Sequence, residues 1–292
     1  MEATGADPDL RASTRFRRGL SVGFWLGWKI ESNWTDPLLF FVYAVARPLG
    51  AALILVAMFF AVSGGDRGPL LDFFVVGSAF WPFVVAGIQG LGQAVIEDRE
   101  HWRMTQPVYT SPISWRAYLI GRSLAMTASA GVGGAVVTLL AGWAVLGVRF
   151  DLGLPGAAYV AAAVILGLLS VLGLGMLTVA YAMSVSSAAW RLPEAVSASL
   201  YLVSGAVFPV GVLPGFLQGV ARVFPLTWWL EAVRRGLLGP GARVSFPALS
   251  DAEVLGWLAL TTAVTVALAA AVFGAAERRA RTLGLLDRES GF

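Results

Sequence analysis

The chain has 292 residues, of which 57% are hydrophobic and only 13% are charged, and its mean hydropathy is +0.73. A soluble domain of this composition would lack the polar residues that cover a surface, so the sequence indicates an integral membrane protein. The net charge of +3 does not indicate nucleic-acid binding, because the arginines are spread over termini and short loops and form no basic face.

The first predicted element is a cytoplasmic N-terminal segment, residues 1–36, that contains an amphipathic helix. Residues 15–35 carry too many charges to cross a bilayer, yet apolar and small residues recur there at helical spacing. Trp25, Trp28 and Trp34 fall within ten residues, as is typical of a helix at headgroup level. We therefore predict an interfacial helix; the alternative is a disordered basic tail.

Six apolar stretches follow within a transmembrane domain of residues 37–276. A spanning helix needs about 20 mainly apolar residues, and the stretches that qualify are about 38–62, 73–95, 118–146, 155–183, 195–213 and 252–276. Six spans place both termini on one side of the membrane. Of the basic residues that flank the spans, 14, among them Arg122, lie on that side and 6, among them Arg234, lie on the other. The N-terminus and the C-terminal tail, residues 277–292, are therefore predicted to be cytoplasmic.

The connection between the second and third spans, about 96–117, is polar. Its charges lie three or four residues apart, as on a short helix, and one large apolar side chain stands among them. Such a segment could dock to a soluble partner; the alternative is a solvated loop whose tryptophan rests at the membrane interface. The candidate contact residues are Glu97, Asp98, Arg99, Glu100, His101, Trp102 and Arg103.

The connection before the sixth span is long, apolar and interrupted by two prolines, which argue against one continuous helix. Backbone that is broken at membrane depth has to be buried in protein or line a cavity. We therefore predict a re-entrant hairpin of two short helices over about 214–238, shallow in the outer leaflet; the alternative is an external loop on the headgroups. In the second helix, Glu231 can pair with Arg234 or Arg235 at i,i+3 or i,i+4. The residues that define the hairpin are Pro214, Pro225, Trp228, Trp229, Glu231 and Arg234.

No residue pattern indicates catalysis, metal binding or a bound cofactor in this chain. The sequence has no cysteine and one histidine, so it offers neither a thiolate metal site nor a Cys/His catalytic pair. The only lysine, Lys29, is followed by Ile30, so the GxxxxGK[ST] loop that binds ATP phosphates is absent. The spans also contain no clear mid-membrane carboxylate, which argues against an ion-coupled carrier. Nucleotide energy would have to come from a partner.

Short motifs occur within and beside the two long connections. Those around the first are Glu97–Arg99, Ser111-Pro112 and Gly121-Arg122. Those around the second are Ser204–Pro209, Leu213-Pro214, Pro225–Thr227 and Glu231–Arg234. Over residues 15–280, the order of these motifs among the spans resembles that of the type-2 family of ABC exporter permeases, although Trp102-Arg103-Met104 replaces the usual Gly-Thr-Leu-Glu type of continuation.

This resemblance implies an all-α integral membrane protein with six transmembrane helices, an N-terminal interfacial helix and a re-entrant helical hairpin before the last span. It implies two permeases, identical or related, with two copies of a separate ABC ATPase that binds ATP and Mg²⁺, in the plasma membrane of a bacterium or archaeon. Residues 97–104 would be the coupling helix.

The resemblance also implies that the first, second and fifth spans line the pathway. The candidate lining residues are Phe40, Phe41, Tyr43, Arg47, Tyr201 and Phe208. Such an aromatic route would suit an amphiphilic drug, antibiotic, lipid or lipid-linked glycan. Two other classes stay open: an ion-coupled secondary carrier or channel, and a non-transporting membrane assembly subunit.

Overall fold

The computed structural model describes residues 8–33, 36–63, 69–151, 153–182, 192–239 and 244–283. Within these ranges the regular elements are helices and no strand is found. The helices are α1 Pro8–Ser32, α2 Pro37–Ser63, α3 Pro69–Ile96, α4 Thr105–Thr110, α5 Trp115–Met126, α6 Gly133–Ala141, α7 Leu154–Ala182, α8 Leu192–Val203, α9 Gly215–Val223, α10 Pro225–Leu238 and α11 Asp251–Thr282.

Four helical stretches in the described ranges are long and apolar enough to cross a membrane. They are Leu70–Ile96, Trp115–Leu146, Leu154–Tyr181 and Asp251–Ala280, and they coincide with the second, third, fourth and sixth predicted spans. The second of these stretches joins α5 to α6 through a π-helical turn at Thr127–Val132. Helix α2, with 27 residues, occupies the first predicted span.

The fifth predicted span differs from the continuous helix expected over 195–213. Helix α8 ends at Val203, Gly205 has a φ of 75°, and a short 3₁₀ turn follows at Val210–Val212. A left-handed glycine reverses the chain at a helix end, and Pro209 cannot donate a backbone hydrogen bond to a continuing helix. Hydropathy alone does not detect this break because the residues after Val203 remain apolar.

Helix α10 lies inside the helical bundle, where it packs against α3, α7 and α11. Every residue from Pro225 to Arg234 is buried. The Trp229 indole packs edge-on against the rings of Phe80 and Phe83 on α3, with centroids 6.0 and 6.2 Å away. Burial of a large aromatic side chain among other rings is a main source of core stability, so Trp229 fixes α10 against α3.

Helix α1 packs along α5 through a stripe of glycines. Gly19, Gly23 and Gly27, which follow one another at i,i+4, are buried, whereas the aromatic side chains of the opposite face are exposed. A Cβ added at Gly19 would lie 2.6 Å from the Ser114 carbonyl oxygen, and one added at Gly23 would collide with the carbonyl oxygen of Tyr118. Glycines at this spacing let two helix backbones approach closely.

The helix predicted within residues 15–35 is therefore present as α1, and its position at a membrane interface stays a prediction. Its exposed aromatic residues are Phe16, Phe24, Trp25 and Trp28. Trp34 lies outside the described residues.

Candidate functional site

The polar connection after α3 forms a compact turn. Helix α3 continues into a π-helical turn at Glu97–His101, which is closed by hydrogen bonds from the Trp102 N–H to the Glu97 carbonyl (2.8 Å) and from the Met104 N–H to the Asp98 carbonyl (2.7 Å). Arg103 has a φ of 49° and is the one non-glycine residue with a left-handed backbone among those that the structure describes. Residues other than glycine rarely adopt this backbone conformation, so the chain has a defined, non-helical bend at Arg103.

A buried ion pair anchors this turn to α5. Arg122 Nη1 lies 2.7 Å from Asp98 Oδ1, and Arg122 Nη2 lies 2.9 Å from Glu97 Oε2. Asp98 is fully buried and Arg122 is 5% exposed. The Arg122 guanidinium also contacts the Tyr118 hydroxyl one helical turn away, at 3.4 Å.

Burial and charge act in opposite directions on Asp98. Burial raises the pKa of the Asp98 carboxyl above its ordinary value, and the positive charge and hydrogen bond of Arg122 lower it. Separation of this pair would leave a charge in the protein interior, which is far more costly than loss of a surface pair. The end of α3 and helix α5 are therefore held together at the base of the turn.

The outer part of the turn faces away from the fold. His101, Trp102 and Arg103 are exposed, with half of the Trp102 surface accessible. The His101 and Trp102 rings meet edge-on at 5.4 Å. An exposed tryptophan with an apolar ring and a polar N–H fits either contact with another protein or a position at the membrane interface.

The structure thus divides the seven candidate contact residues by orientation. Asp98 points inward, Glu97 is partly exposed, and the three residues from His101 to Arg103 point outward. The side chains of Arg99 and Glu100 lie outside the described residues. The sequence prediction placed Asp98 on the docking surface, whereas its complete burial instead gives it the role of an internal anchor.

A second polar cluster joins the other end of the connection to the last helix. On α11, the Glu277 carboxylate accepts hydrogen bonds from the Tyr109 hydroxyl of α4 (2.8 Å) and from Arg116 Nε of α5 (2.8 Å). The sequence analysis did not detect this cluster. Its only signal in the sequence was a carboxylate directly after the last predicted span.

At the opposite end of the bundle, Arg234 of α10 is buried among backbone carbonyls. Its Nε donates to the Phe73 carbonyl (3.0 Å), and its Nη2 donates to the Gly205 and Ala206 carbonyls at 2.8 and 2.9 Å. The guanidinium carbon also lies 3.5 Å from the centroid of the Phe73 ring. Arg234 therefore holds α3 and the turn after α8 against α10.

Glu231 pairs with Arg235 and not with Arg234. The Glu231 carboxylate lies 3.2 Å from Arg235 Nε and accepts the backbone N–H groups of Ser245 and Phe246. Of the two pairs that the sequence allowed, only the i,i+4 pair is therefore formed. The charged groups of α10 are hydrogen-bonded to protein groups, Glu231 to Arg235 and two backbone N–H groups and Arg234 to backbone carbonyls, which lowers the cost of burying this helix.

The two helices predicted over 214–238 are present as α9 and α10. Pro214 immediately precedes α9, and Pro225 is the first residue of α10, a position where the missing N–H costs nothing. The Trp228 ring stacks between Phe246, at 4.8 Å, and Trp257, at 5.6 Å. That these helices form a re-entrant hairpin in the outer leaflet stays a prediction.

The sequence profile of the ABC-2 type transporter family matches residues 24–238, which include both the turn after α3 and the α9–α10 hairpin. The chain belongs to the ABC-2 type transporter family. A comparison with curated proteins gave no match. Members of this family form the transmembrane component of ABC transporters, lack ATPase motifs of their own and work with ABC ATPase partners. The protein is accordingly a multi-pass membrane protein and an ABC transporter permease.

The candidate pathway residues of this permease lie in different surroundings. Tyr43 and Phe208 are 59% and 51% exposed, and Phe40 is partly exposed. Tyr201 packs on Trp81 of α3, with centroids 4.6 Å apart. The side chains of Phe41 and Arg47 lie outside the described residues.

Proposed function

We propose that this chain is the permease of an ABC exporter and that a separate ABC ATPase drives it through the turn at residues 97–104. The observation that carries the proposal is the turn's construction. Its outer residues, His101 to Arg103, are exposed, while Asp98 at its base is bound to Arg122 inside the fold. An exposed contact surface on a rigid base suits transmission of force from a soluble partner.

In this mechanism, ATP-dependent closure of the ATPase displaces the turn. Because Asp98 follows α3 and Arg122 belongs to α5, the displacement is delivered to two spanning helices at once. Removal of one partner from a buried ion pair costs about 3–5 kcal/mol, so the pair resists separation during the stroke. The packed helices then shift between two arrangements, as is common in allosteric transitions.

The proposed topology has six spans, with α2 as the first and the α8 region as the fifth. Both termini and the turn face the cytoplasm, as the excess of flanking basic residues indicates. Helix α1 lies in the interface with Trp25 and Trp28 toward lipid, and α9 and α10 form a re-entrant hairpin on the exit side. Both charged side chains have protein partners that support this placement, because charges at membrane depth need protein contacts. Glu231 binds Arg235 and the N–H groups of Ser245 and Phe246, and Arg234 binds backbone carbonyls of α3 and of the turn after α8.

The proposed cargo is amphiphilic or lipid-like, such as a drug, antibiotic, lipid or glycan, and moves outward from the cytoplasm or inner leaflet. Two permeases, identical or related, form the pathway, and two ATPase copies bind ATP and Mg²⁺ in a bacterial or archaeal cell membrane. The lining would include Phe40, Tyr43, Arg47, Tyr201 and Phe208. Tyr43 and Phe208 are exposed in the single chain, so they are accessible either to cargo in a pathway or to lipid, which was the alternative that the sequence left open.

Nucleotide binding and hydrolysis by the purified chain, alone and in complex with its ABC ATPase, test the proposal. We expect no specific ATP binding by the chain alone, because its single lysine is not in a phosphate-binding loop. The complex in lipid nanodiscs should hydrolyse ATP, and Trp102→Ala should alter that activity without preventing assembly. Specific nucleotide binding by the isolated chain, or transport driven by an ion gradient without the ATPase, would overturn it.

A further inference from the structure

Helix α11 carries a buried carboxylate close to its C-terminal end. Glu277 is 4% exposed. Its Oε1 accepts the Tyr109 hydroxyl at 2.8 Å, and its Oε2 lies 2.7 Å from Arg116 Nη2. The guanidinium of Arg116 also lies over the Phe273 ring on the same helix, 5.6 Å from its centroid. Three elements, α4, α5 and α11, therefore meet at one carboxylate.

The contact with Tyr109 places a second anchor on the exposed turn. Asp98 fixes the chain before His101–Arg103, and Tyr109 fixes it a few residues after them. The turn is thus held from both sides, by α5 through Arg122 and by α11 through Glu277.

Aromatic rings connect the two anchors. The Tyr109 ring lies 5.3 Å from Trp115, and Trp115 stacks on Tyr118 at 5.7 Å. The Tyr118 hydroxyl in turn contacts Arg122, the partner of Asp98. A contiguous set of packed and hydrogen-bonded side chains can carry motion between elements when those elements have two arrangements.

We propose that Glu277 is a positioning residue that makes α11 move together with the turn during the ATP cycle. The inference rests on the proposed function, and it extends that function to the last span. Tyr109 and Arg116 transfer the displacement of the turn to the carboxylate. The stroke then moves three spanning helices, α3, α5 and α11, relative to α7, which packs along α11.

The test measures distances between spin labels in the complex of this chain with its ABC ATPase in lipid nanodiscs. The chain contains no cysteine, so pairs can be introduced cleanly at exposed positions. The first pair, Gln106→Cys with Arg279→Cys, reports the distance between α4 and α11. The second, Gln106→Cys with Leu154→Cys, reports the distance between α4 and the far end of α7. Each pair is measured without nucleotide and with ATP plus vanadate.

With Glu277 present, we expect nucleotide to shift the 106–154 distance by about 2–5 Å, the scale of helix displacements in allosteric proteins. The 106–279 distance should change by less than about 2 Å because both labels move together. In Glu277→Ala, and in the milder Tyr109→Phe, the 106–279 distance should become nucleotide-dependent. The matched control is Glu253→Ala, because Glu253 lies on the same helix and its hydrogen bonds in the structure go to Ser250. In this variant both distances should respond to nucleotide as they do in the native chain.

The outcomes separate this inference from the function on which it rests. If nucleotide changes the 106–154 and 106–279 distances equally in the native background, the proposed role of Glu277 is wrong. The proposed ATP-driven permease function is not affected by that result. A 106–279 distance that stays fixed in both Glu277→Ala and Tyr109→Phe would overturn the role of Glu277 as well. If neither pair responds to nucleotide in a complex that hydrolyses ATP, the proposed function itself fails, and the inference fails with it.

Discussion

Asp98 and Arg122 form a buried ion pair between the end of α3 and helix α5, with 2.7 Å between Oδ1 and Nη1. The two residues are 24 positions apart and lie on opposite sides of the exposed turn. The pair therefore determines whether the turn is a rigid part of the bundle or a free loop.

The first prediction concerns this pair. Asp98→Asn removes the closer of the two carboxylates that pair with the buried Arg122, while Glu97 stays 2.9 Å from it, so we expect the free energy of unfolding to fall by about 1–3 kcal/mol. The matched control is Asp251→Asn, because Asp251 also pairs with an arginine but its side chain is 67% exposed; its cost should be about 0–1 kcal/mol. Unfolding midpoints in detergent micelles measure both. Equal losses would show that the Asp98 pair contributes no more than a surface pair.

The second prediction concerns the contact between α1 and α5. Gly23→Ala places a methyl group against the carbonyl oxygen of Tyr118, so the helices have to separate, and we expect a loss of about 1–3 kcal/mol. Gly133→Ala is the control, because a Cβ there meets no atom within 4 Å and alanine favours the helix. Thermal unfolding of both variants in micelles gives the comparison. A Gly23→Ala protein as stable as the Gly133→Ala protein would contradict the close packing.

The parts of the fold that follow from local chemistry could be predicted from the sequence. Long apolar stretches correctly predicted four of the spans, and Pro214 and Pro225 correctly predicted where α9 and α10 begin. The interruption after Val203 was not detected, because it depends on the left-handed conformation of Gly205 within a stretch whose hydropathy does not change.

The direction of each side chain in the polar connection could not be predicted. The π-helical turn at Glu97–His101 changes the angle between successive side chains, so helical spacing misplaces Asp98 on the surface. Counting basic residues treated Arg122 and Arg234 as flanking charges, although both are buried and bind internal partners. Glu277 was missed because its partners are more than 160 residues away.

The third prediction tests the internal role of Arg234. Arg234→Lys keeps the charge but cannot reach the carbonyls of Phe73 and Ala206 with one planar group. At least one buried carbonyl is left unsatisfied, so we expect a loss of about 1–3 kcal/mol. Arg222→Lys, at an exposed position of α9, should change stability by less than about 0.5 kcal/mol. Denaturant unfolding of the two lysine variants measures the difference, and a neutral Arg234→Lys would refute the role assigned to its three hydrogen bonds.

The fourth prediction concerns topology. In intact cells, a membrane-impermeant thiol reagent should not label His101→Cys, and it should label Arg149→Cys, an exposed position in the connection that precedes α7. The charge asymmetry of the flanking segments is the reason. After the membrane is permeabilised, both positions should react, which serves as the control for accessibility. The reverse pattern in intact cells would invert the proposed orientation.

Photo-cross-linking at the exposed turn tests the central claim most directly. A benzophenone amino acid is placed at Trp102, or at Phe216 as the control, in the complex of this chain with its ABC ATPase, and the complex is irradiated. Both side chains are exposed, but only Trp102 belongs to the turn that we assign to the ATPase. We predict a covalent adduct with the ATPase from position 102 and none from position 216. An ATP-hydrolysing complex with no adduct at 102, or with an adduct at 216, would contradict the account.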